Sequence, residues 1–140
     1  MREAAYARER VASVSPLSNN ATICSLLGYE GAAIPEGMSV EALDAACREA
    51  NAGRVVETPT TVGFCMYIPR AALDEVGAFD AAAFGRGYGE ENDFCRRAAA
   101  RGWVNLIACD VFVEHAGGAS FGDETAERIG AAYPLLCERY

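Results

Sequence analysis

The stretch GYGEENDFCRRAAARGWVNLIACDVFVEH, residues 87–115, decides the fold class. It opens with glycines, continues with acidic residues followed by two arginines, and reaches Gly102, an order typical of an α-helix and its stop signal. The apolar run after Gly102 is typical of a buried strand. Because helical and strand-like segments also alternate in the rest of the chain, we expect an α/β fold with a mixed sheet flanked by helices.

Upstream of this stretch the same alternation is visible. Residues 3–10 have helical composition and lead into a short apolar run, 11–15, which predicts a buried strand. Ser39 is expected to cap a helix that runs to about Asn51 and ends at Gly53.

The remaining segments are shorter or less regular. Residues 54–69 contain two β-rich segments that Pro59 separates, and a short helix is expected between Pro69 and Gly77. Residues 79–89 are expected to be a glycine-rich loop, and the last helix, 123–140, is expected to be interrupted around Pro134.

Length and composition restrict the classes of function. With 140 residues and 51% hydrophobic residues, the chain is expected to be a single domain, 1–140. A net charge of -8 disfavours nucleic-acid binding, which needs clustered Lys and Arg. No apolar stretch approaches the roughly 20 residues that span a membrane, and no export signal is visible. The six scattered cysteines include no CxxC pair. We therefore expect a cytoplasmic protein with reduced thiols.

The densest polar cluster is Gly89-Glu90-Glu91-Asn92-Asp93, at the start of the central helix. Acidic residues there can simply complement the helix dipole. The helix then travels about 17 Å to Gly102, and the strand returns about 20 Å by Asp110. This arithmetic places His115, the single histidine, at the same sheet edge as the acidic turn. Ligands of α/β sheets bind at such edges, although a lone His there can also be structural.

Three runs of residues carry a resemblance to a known family: GFCMYIPR (63–70), VGAFDAAAFGRGYGEENDFCRRAAARGW (76–103) and VFVEHAGGASFG (111–122). They resemble family-2 inverting glycosyltransferases with the GT-A fold, and the similarity extends back through VASVSPLSNNATI, residues 11–23. The resemblance implies that the chain is the carboxyl-terminal, acceptor-side half of a GT-A domain. The nucleotide-binding half, with its DxD motif, is not found in the sequence, which has no Asp-x-Asp.

The resemblance also implies roles for individual residues. The carboxylate that closes the family's Glu-Asp/Glu pair is the general base, here Glu91, and Glu90 is expected to orient the acceptor. The family's His after the last core strand, here His115, is expected to help hold Mn²⁺ or Mg²⁺ on the diphosphate of the donor. Further contacts to acceptor or donor are expected from Gly63, Tyr88, Gly89, Asp93, Ser18, Asn19 and Asn20.

Simpler explanations exist for several of these residues. Gly63 can mark a β-bulge instead of a close approach to the donor sugar, and Tyr88 is a candidate for stacking on an acceptor sugar. The Ser18-Asn19-Asn20 segment can be an Asx-rich turn that needs no ligand. Because the helix dipole lowers the pKa of a first-turn carboxylate, Glu91 needs burial by groups such as Phe84 to act as a base.

The expected partners are a UDP- or dTDP-sugar donor and a glycan or lipid-linked acceptor, in the synthesis of a surface polysaccharide. Such an enzyme is expected to be cytoplasmic, where parts outside this sequence can hold it at the inner face of the membrane. The sheet is expected to expose an edge where further strands belong, which can support a homo-oligomer. Two alternatives remain open: a non-catalytic glycan-binding module, and an oligomerisation module.

Overall fold

A three-stranded mixed sheet forms the core of the computed structural model, which describes residues 1–29, 31–85, 87–117 and 122–140. The strands are β1 (Val11–Leu17), β2 (Val55–Thr58) and β3 (Val104–Phe112). The α-helices in the described residues are α1 (Arg2–Tyr6), α2 (Val40–Asn51), α3 (Arg70–Val76), α4 (Ala81–Phe84), α5 (Glu90–Ala99) and α6 (Thr125–Arg139). The fold is therefore α/β with a mixed sheet, as predicted.

Strand β3 lies in the middle of the sheet. It pairs in parallel with β1, where Val14 faces Leu106, and antiparallel with β2, where Val56 faces Ile107. The apolar run after Gly102 thus forms one strand, as predicted. Strand β2 ends immediately before Pro59, as expected for a residue that cannot donate a ladder hydrogen bond.

The second β-rich segment does not form a regular strand, so this part of the sequence-based expectation is wrong. Only Tyr67 pairs with the sheet, through two 2.9 Å hydrogen bonds with the backbone of Val14. The side chains and backbone of residues 60–62 bond instead to β1 and α5. β-Propensity was overridden here by these tertiary contacts.

Helices cover the sheet through separate apolar clusters. Helices α3 and α5 pack on β1, and their contact residues include Ala72, Phe94 and Ala98. Helix α1 contributes Ala5 to a cluster with Val11, Val14, Leu106 and Ala108. Helix α2 packs its buried Leu43 and Cys47 against Phe112 at the end of β3. The central helix α5 therefore rests on the sheet with its first turn near the edge at which β3 ends.

Three helix boundaries follow the capping signals. The Ser39 hydroxyl accepts a hydrogen bond from the backbone N–H of Ala42, and α2 ends at Asn51 as predicted. Helix α3 begins after Pro69 and ends before Gly77, which has φ 90°. Helix α5 begins at Glu90, directly after Gly89.

Two helical segments differ from the prediction. Residues 79–89 are not entirely a loop, because Asp80 accepts a hydrogen bond from the N–H of Ala83 and caps the short helix α4. Helix α6 is not interrupted, and it runs through Pro134. Pro134 is exposed, so water can solvate the carbonyl that loses its intrahelical partner.

All six cysteines are free thiols, and Cys24, Cys47 and Cys95 are buried. Within the described residues, every helix is too short or too polar to cross a lipid bilayer.

Candidate functional site

The candidate base and the histidine lie on either side of a two-residue segment, Gly63-Phe64. A methyl group placed on Gly63 would lie 3.8 Å from Cβ, Cγ and Cδ of Glu91, so the glycine backbone passes directly along that side chain. The ring of Phe64 stacks on the ring of His115, with centroids 5.0 Å apart and planes 23° apart. The sequence argument that put Glu91 and His115 at one sheet edge thus agrees with this geometry.

Glu91 is half-buried, and its carboxylate is turned back toward the start of its own helix. Its Oε2 accepts a 3.2 Å hydrogen bond from the backbone N–H of Gly89. Burial raises the pKa of the Glu91 carboxyl above its ordinary value; nearby backbone N–H groups oppose this, and the Glu90 carboxylate adds to it. The dipole effect that would have weakened Glu91 as a base is therefore outweighed by desolvation.

Glu90 adds a second carboxyl group to the same turn. Its Oε2 atom is buried and has no hydrogen-bond partner in the described part of the chain. A buried acceptor without a donor is uncommon in folded proteins, because its lost hydration is not replaced. A ligand hydroxyl could supply the missing donor, which suits the expected role of Glu90 in orienting an acceptor.

The segment before Gly63 is fixed by hydrogen bonds that the sequence did not reveal. The Thr60 hydroxyl lies 2.9 Å from Oδ1 of Asn92, in the first turn of α5. The Ser15 hydroxyl donates to the carbonyl of Val62 at 3.0 Å. These contacts set the position of Gly63 beside Glu91. Asn92 was part of the acidic cluster, but nothing in the sequence signalled its pairing with Thr60.

A buried polar network lies beneath this segment. The Ser13 hydroxyl is 2.7 Å from the Thr61 hydroxyl and 2.8 Å from Oδ1 of Asn105. The Asn105 amide also reaches the carbonyls of Pro59 and Cys95, at 3.3 and 3.4 Å. The network joins β1, β3, α5 and the segment at Pro59, so the floor of the site is rigid.

His115 is held by the loop that follows β1. Its backbone N–H donates to Oδ1 of Asn19 at 2.7 Å, and its Nδ1 lies against the carbonyl of Asn20. A carbonyl only accepts, so the proton of the neutral ring is on Nδ1 and the lone pair is on Nε2. This is the arrangement found at metal-binding histidines, whose other nitrogen donates to a carbonyl or carboxylate.

The side chains of Ser18 and Asn19 form hydrogen bonds within and around this loop. Both are buried, and the Asn19 amide also donates to the carbonyl of Ala32 at 3.2 Å. Asn20 is half-buried, and its side-chain amide lies between two glycines, Gly31 and Gly117. A Cβ on Gly31 would come within 2.5 Å of Oδ1 of Asn20. Asn19 and Asn20 thus both contact His115, and the side-chain amide of Asn20 takes part in none of the described hydrogen bonds.

Asp93 lies away from the others, beneath helix α6. It is fully buried, and its oxygens accept from Arg97 Nε at 2.7 Å, Arg139 Nη1 at 2.6 Å and the Tyr140 hydroxyl at 2.9 Å. Burial opposes ionisation, yet these hydrogen bonds hold the pKa of Asp93 below its ordinary value. Both carboxylate oxygens of Asp93 are therefore engaged by Arg97, Arg139 and Tyr140.

Tyr88 and Gly89 also contact α6. The Tyr88 hydroxyl is 3.2 Å from the Thr125 hydroxyl, and a Cβ on Gly89 would lie 2.9 Å from Cβ of Ala132. Both residues have left-handed backbones, with φ 70° and 94°. Residue 86, which belongs to the predicted glycine-rich loop, and residues 118–121 lie outside the described residues.

The predicted metal site has one candidate ligand in this region, His115. His115 presents Nε2, but no three His, Cys, Asp or Glu side chains in the described residues come together as a metal-binding group. No protein-family model matches the chain, and neither a curated protein nor a solved structure matches it at a significant level.

Proposed function

We propose that this chain supplies the acceptor side and the general base of an inverting glycosyltransferase with a GT-A fold. The observation that carries the proposal is the position of Glu91, a half-buried residue whose carboxyl group has a raised pKa and lies beside the backbone of Gly63. The proposed donor is a UDP- or dTDP-sugar, and the acceptor is a glycan or lipid-linked glycan. The nucleotide-binding side would come from sequence outside these 140 residues.

In the proposed reaction the acceptor hydroxyl attacks the anomeric carbon of the donor sugar. A new C–O bond forms to the acceptor oxygen, the bond from the anomeric carbon to the diphosphate oxygen breaks, and Glu91 takes the hydroxyl proton. A base works best when its pKa approaches the operating pH, and burial moves Glu91 in that direction. The unsatisfied Oε2 of Glu90 would accept a second acceptor hydroxyl and orient the sugar.

The residues present fit a divalent metal to a limited extent. The Nδ1–H of His115 is engaged with Asn20, so Nε2 is free to bind Mn²⁺ or Mg²⁺, of which Mn²⁺ tolerates nitrogen better. When bound, the ion would neutralise charge on the departing diphosphate. Its other ligands would be the diphosphate and the DxD carboxylates of the nucleotide-binding half.

The test is sugar transfer by the polypeptide that joins these residues to a nucleotide-binding half. Glu91→Gln keeps the side-chain volume and removes the base, so we expect transfer to fall by roughly 10²–10⁴-fold while donor binding is retained. Glu127→Gln, an exposed acid in the first turn of α6, serves as the control. Turnover retained in Glu91→Gln would overturn the assignment of the base.

One observation favours a second candidate, an oligomerisation module. Strand β2 is an edge strand, and its Val55 and Val56 are 41% and 50% exposed. Unpaired backbone groups beside exposed valines favour association with another strand. Sedimentation of the wild type and of Val56→Lys tests this candidate: a dimer lost in the variant supports it, and a wild-type monomer at all concentrations rejects it.

A further inference from the structure

We infer that helix α6 is a strap that holds the candidate catalytic turn, residues 88–91, in place. Arg139 is the positioning residue of this strap. In the described residues, Thr125, Ala132 and Arg139 of α6 contact Tyr88, Gly89 and Asp80, and the adjoining Tyr140 contacts Asp93. The same short region, residues 80–93, carries Glu90 and Glu91. The inference rests on the proposed function only in taking Glu91 as the reacting carboxylate.

The strap is fastened at its far end by an ion pair. Arg139 bridges Asp93, at 2.6 Å, and Asp80, at 2.9 Å, and its guanidinium lies 5.2 Å from the centroid of the Phe84 ring. Asp93 is fully buried while Arg139 is partly exposed, so the carboxylate depends on this contact more than the arginine does. Breaking a pair with a buried member leaves a charge without full compensation, which is costly.

The middle of the strap presses on the turn itself. Ala132 is the buried residue of α6, and it lies against Gly89. The N–H of Gly89 is the group that donates to Oε2 of Glu91. A left-handed backbone is unfavourable for Tyr88, although not for Gly89, so contacts with other parts of the chain help to hold this turn in one conformation.

These contacts make one connected path from Arg139 to Glu91. The ion pair between Arg139 and Asp93 anchors the end of α6, and Ala132 of α6 packs against Gly89. The backbone N–H of Gly89 in turn donates a hydrogen bond to the Glu91 carboxylate. Among the described residues of α6, Ala132 is buried and Leu135 and Leu136 are half-buried, whereas Ile129 and Tyr133 are 47% and 67% exposed. Release of α6 would therefore free the carboxylate of Glu91 without disturbing the sheet.

The experiment follows the Glu91 carboxyl carbon by NMR during a pH titration of the 140-residue chain, with Glu91→Gln used for assignment. In the wild type we expect titration above the ordinary pKa of glutamate. In Arg139→Gln we expect a shift downward toward that value, with exchange of the Gly89 amide hydrogen accelerated on the order of tenfold. Arg139→Lys should restore much of the wild-type behaviour.

Arg48→Gln, which removes an exposed arginine from an ion pair on α2, is the matched control and should change neither readout. A merely stabilising Arg139 would lower the melting temperature yet leave Glu91 titrating as in the wild type, and that result would overturn the inference. If Arg139→Gln does not fold, Ala132→Leu replaces it, because the larger side chain lifts α6 from Gly89 without removing a charge. Since no turnover is measured, failure of the proposed transferase activity would be seen separately.

Discussion

Gly89 offers the most direct test of the way α6 packs on the rest of the chain. Replacing it by alanine would place a methyl carbon 2.9 Å from Cβ of Ala132, 2.9 Å from Cδ1 of Phe84 and 3.1 Å from Cε1 of the same ring. Real methyl groups do not approach carbon atoms this closely, so the ring or the helix has to move. The backbone adds a second cost, because φ is 94° at Gly89.

The two costs can be estimated separately. A left-handed conformation costs an alanine about 1–2 kcal/mol. Forcing one extra methyl into a packed interface costs about 1–3 kcal/mol. The free energy of unfolding of Gly89→Ala should therefore fall by about 2–5 kcal/mol. For a chain of 140 residues each kcal/mol lowers the melting temperature by about 3–5 °C.

Two other glycines separate these contributions in the same urea or thermal unfolding assay. Gly53 has φ 69° and no atom within 4 Å of an added Cβ, so Gly53→Ala should show the backbone cost alone, about 1–2 kcal/mol. Gly130 lies in α6 without positive φ and without near atoms, so Gly130→Ala should stabilise the chain by about 0.5–1 kcal/mol.

The difference between the losses in the free energy of unfolding of Gly89→Ala and Gly53→Ala measures the cost of the steric clash with α6 and Phe84. Equal losses of stability in the two variants would refute the described contact between Ala132 and Gly89.

Three further predictions concern titration and metal binding. The pKa of Glu91 is raised in the folded state, so its ionisation destabilises the fold as the pH rises from the unfolded-state pKa through the folded-state pKa. Above this pH window, Glu91→Gln should be more stable than the wild type in urea unfolding. Equal stability of the two proteins at all pH values would contradict the burial of this carboxyl group. His115→Ala should weaken Mn²⁺-dependent donor binding in a titration calorimeter, whereas an unchanged metal requirement would return His115 to a structural role. Burial raises the pKa of Cys24 to about 12, so a thiol reagent at pH 8 should modify the exposed Cys137 first, and early loss of the Cys24 thiol, mapped by mass spectrometry, would show that this site opens.

Local signals in the sequence were enough to predict the main helices and all three strands. Ser39 and Gly53 correctly predicted where α2 begins and ends, because N-cap residues and left-handed stop residues act within a few positions of the chain. The second β-rich segment, after Pro59, does not form a regular strand because its preference for β-structure competes with hydrogen bonds to distant partners, Ser15 and Asn92. Helix α4 was missed because a four-residue element depends on one cap, Asp80.

The candidate site was predictable only where element lengths set the geometry. The lengths of α5 and β3 bring Glu91 and His115 to one edge, which simple arithmetic anticipated. The stacking of Phe64 on His115 was not anticipated, because an aromatic residue after a glycine has no distinctive spacing to a distant histidine. The engagement of Asp93 by Arg139, 46 residues away, likewise has no local signature.

The parallel pairing of β1 with β3 has a consequence for synthesis on the ribosome. Val11 faces Val104, so the two partners are separated by 104 − 11 = 93 residues. At about 5–20 residues per second, β1 emerges roughly 5–19 s before the strand that completes its ladder. Throughout that interval the apolar Val11–Leu17 segment lacks its partner, and loop closure over so long a separation is slow. The nascent chain therefore needs either transient cover over this segment or a low local concentration of other chains to reach its fold without aggregation.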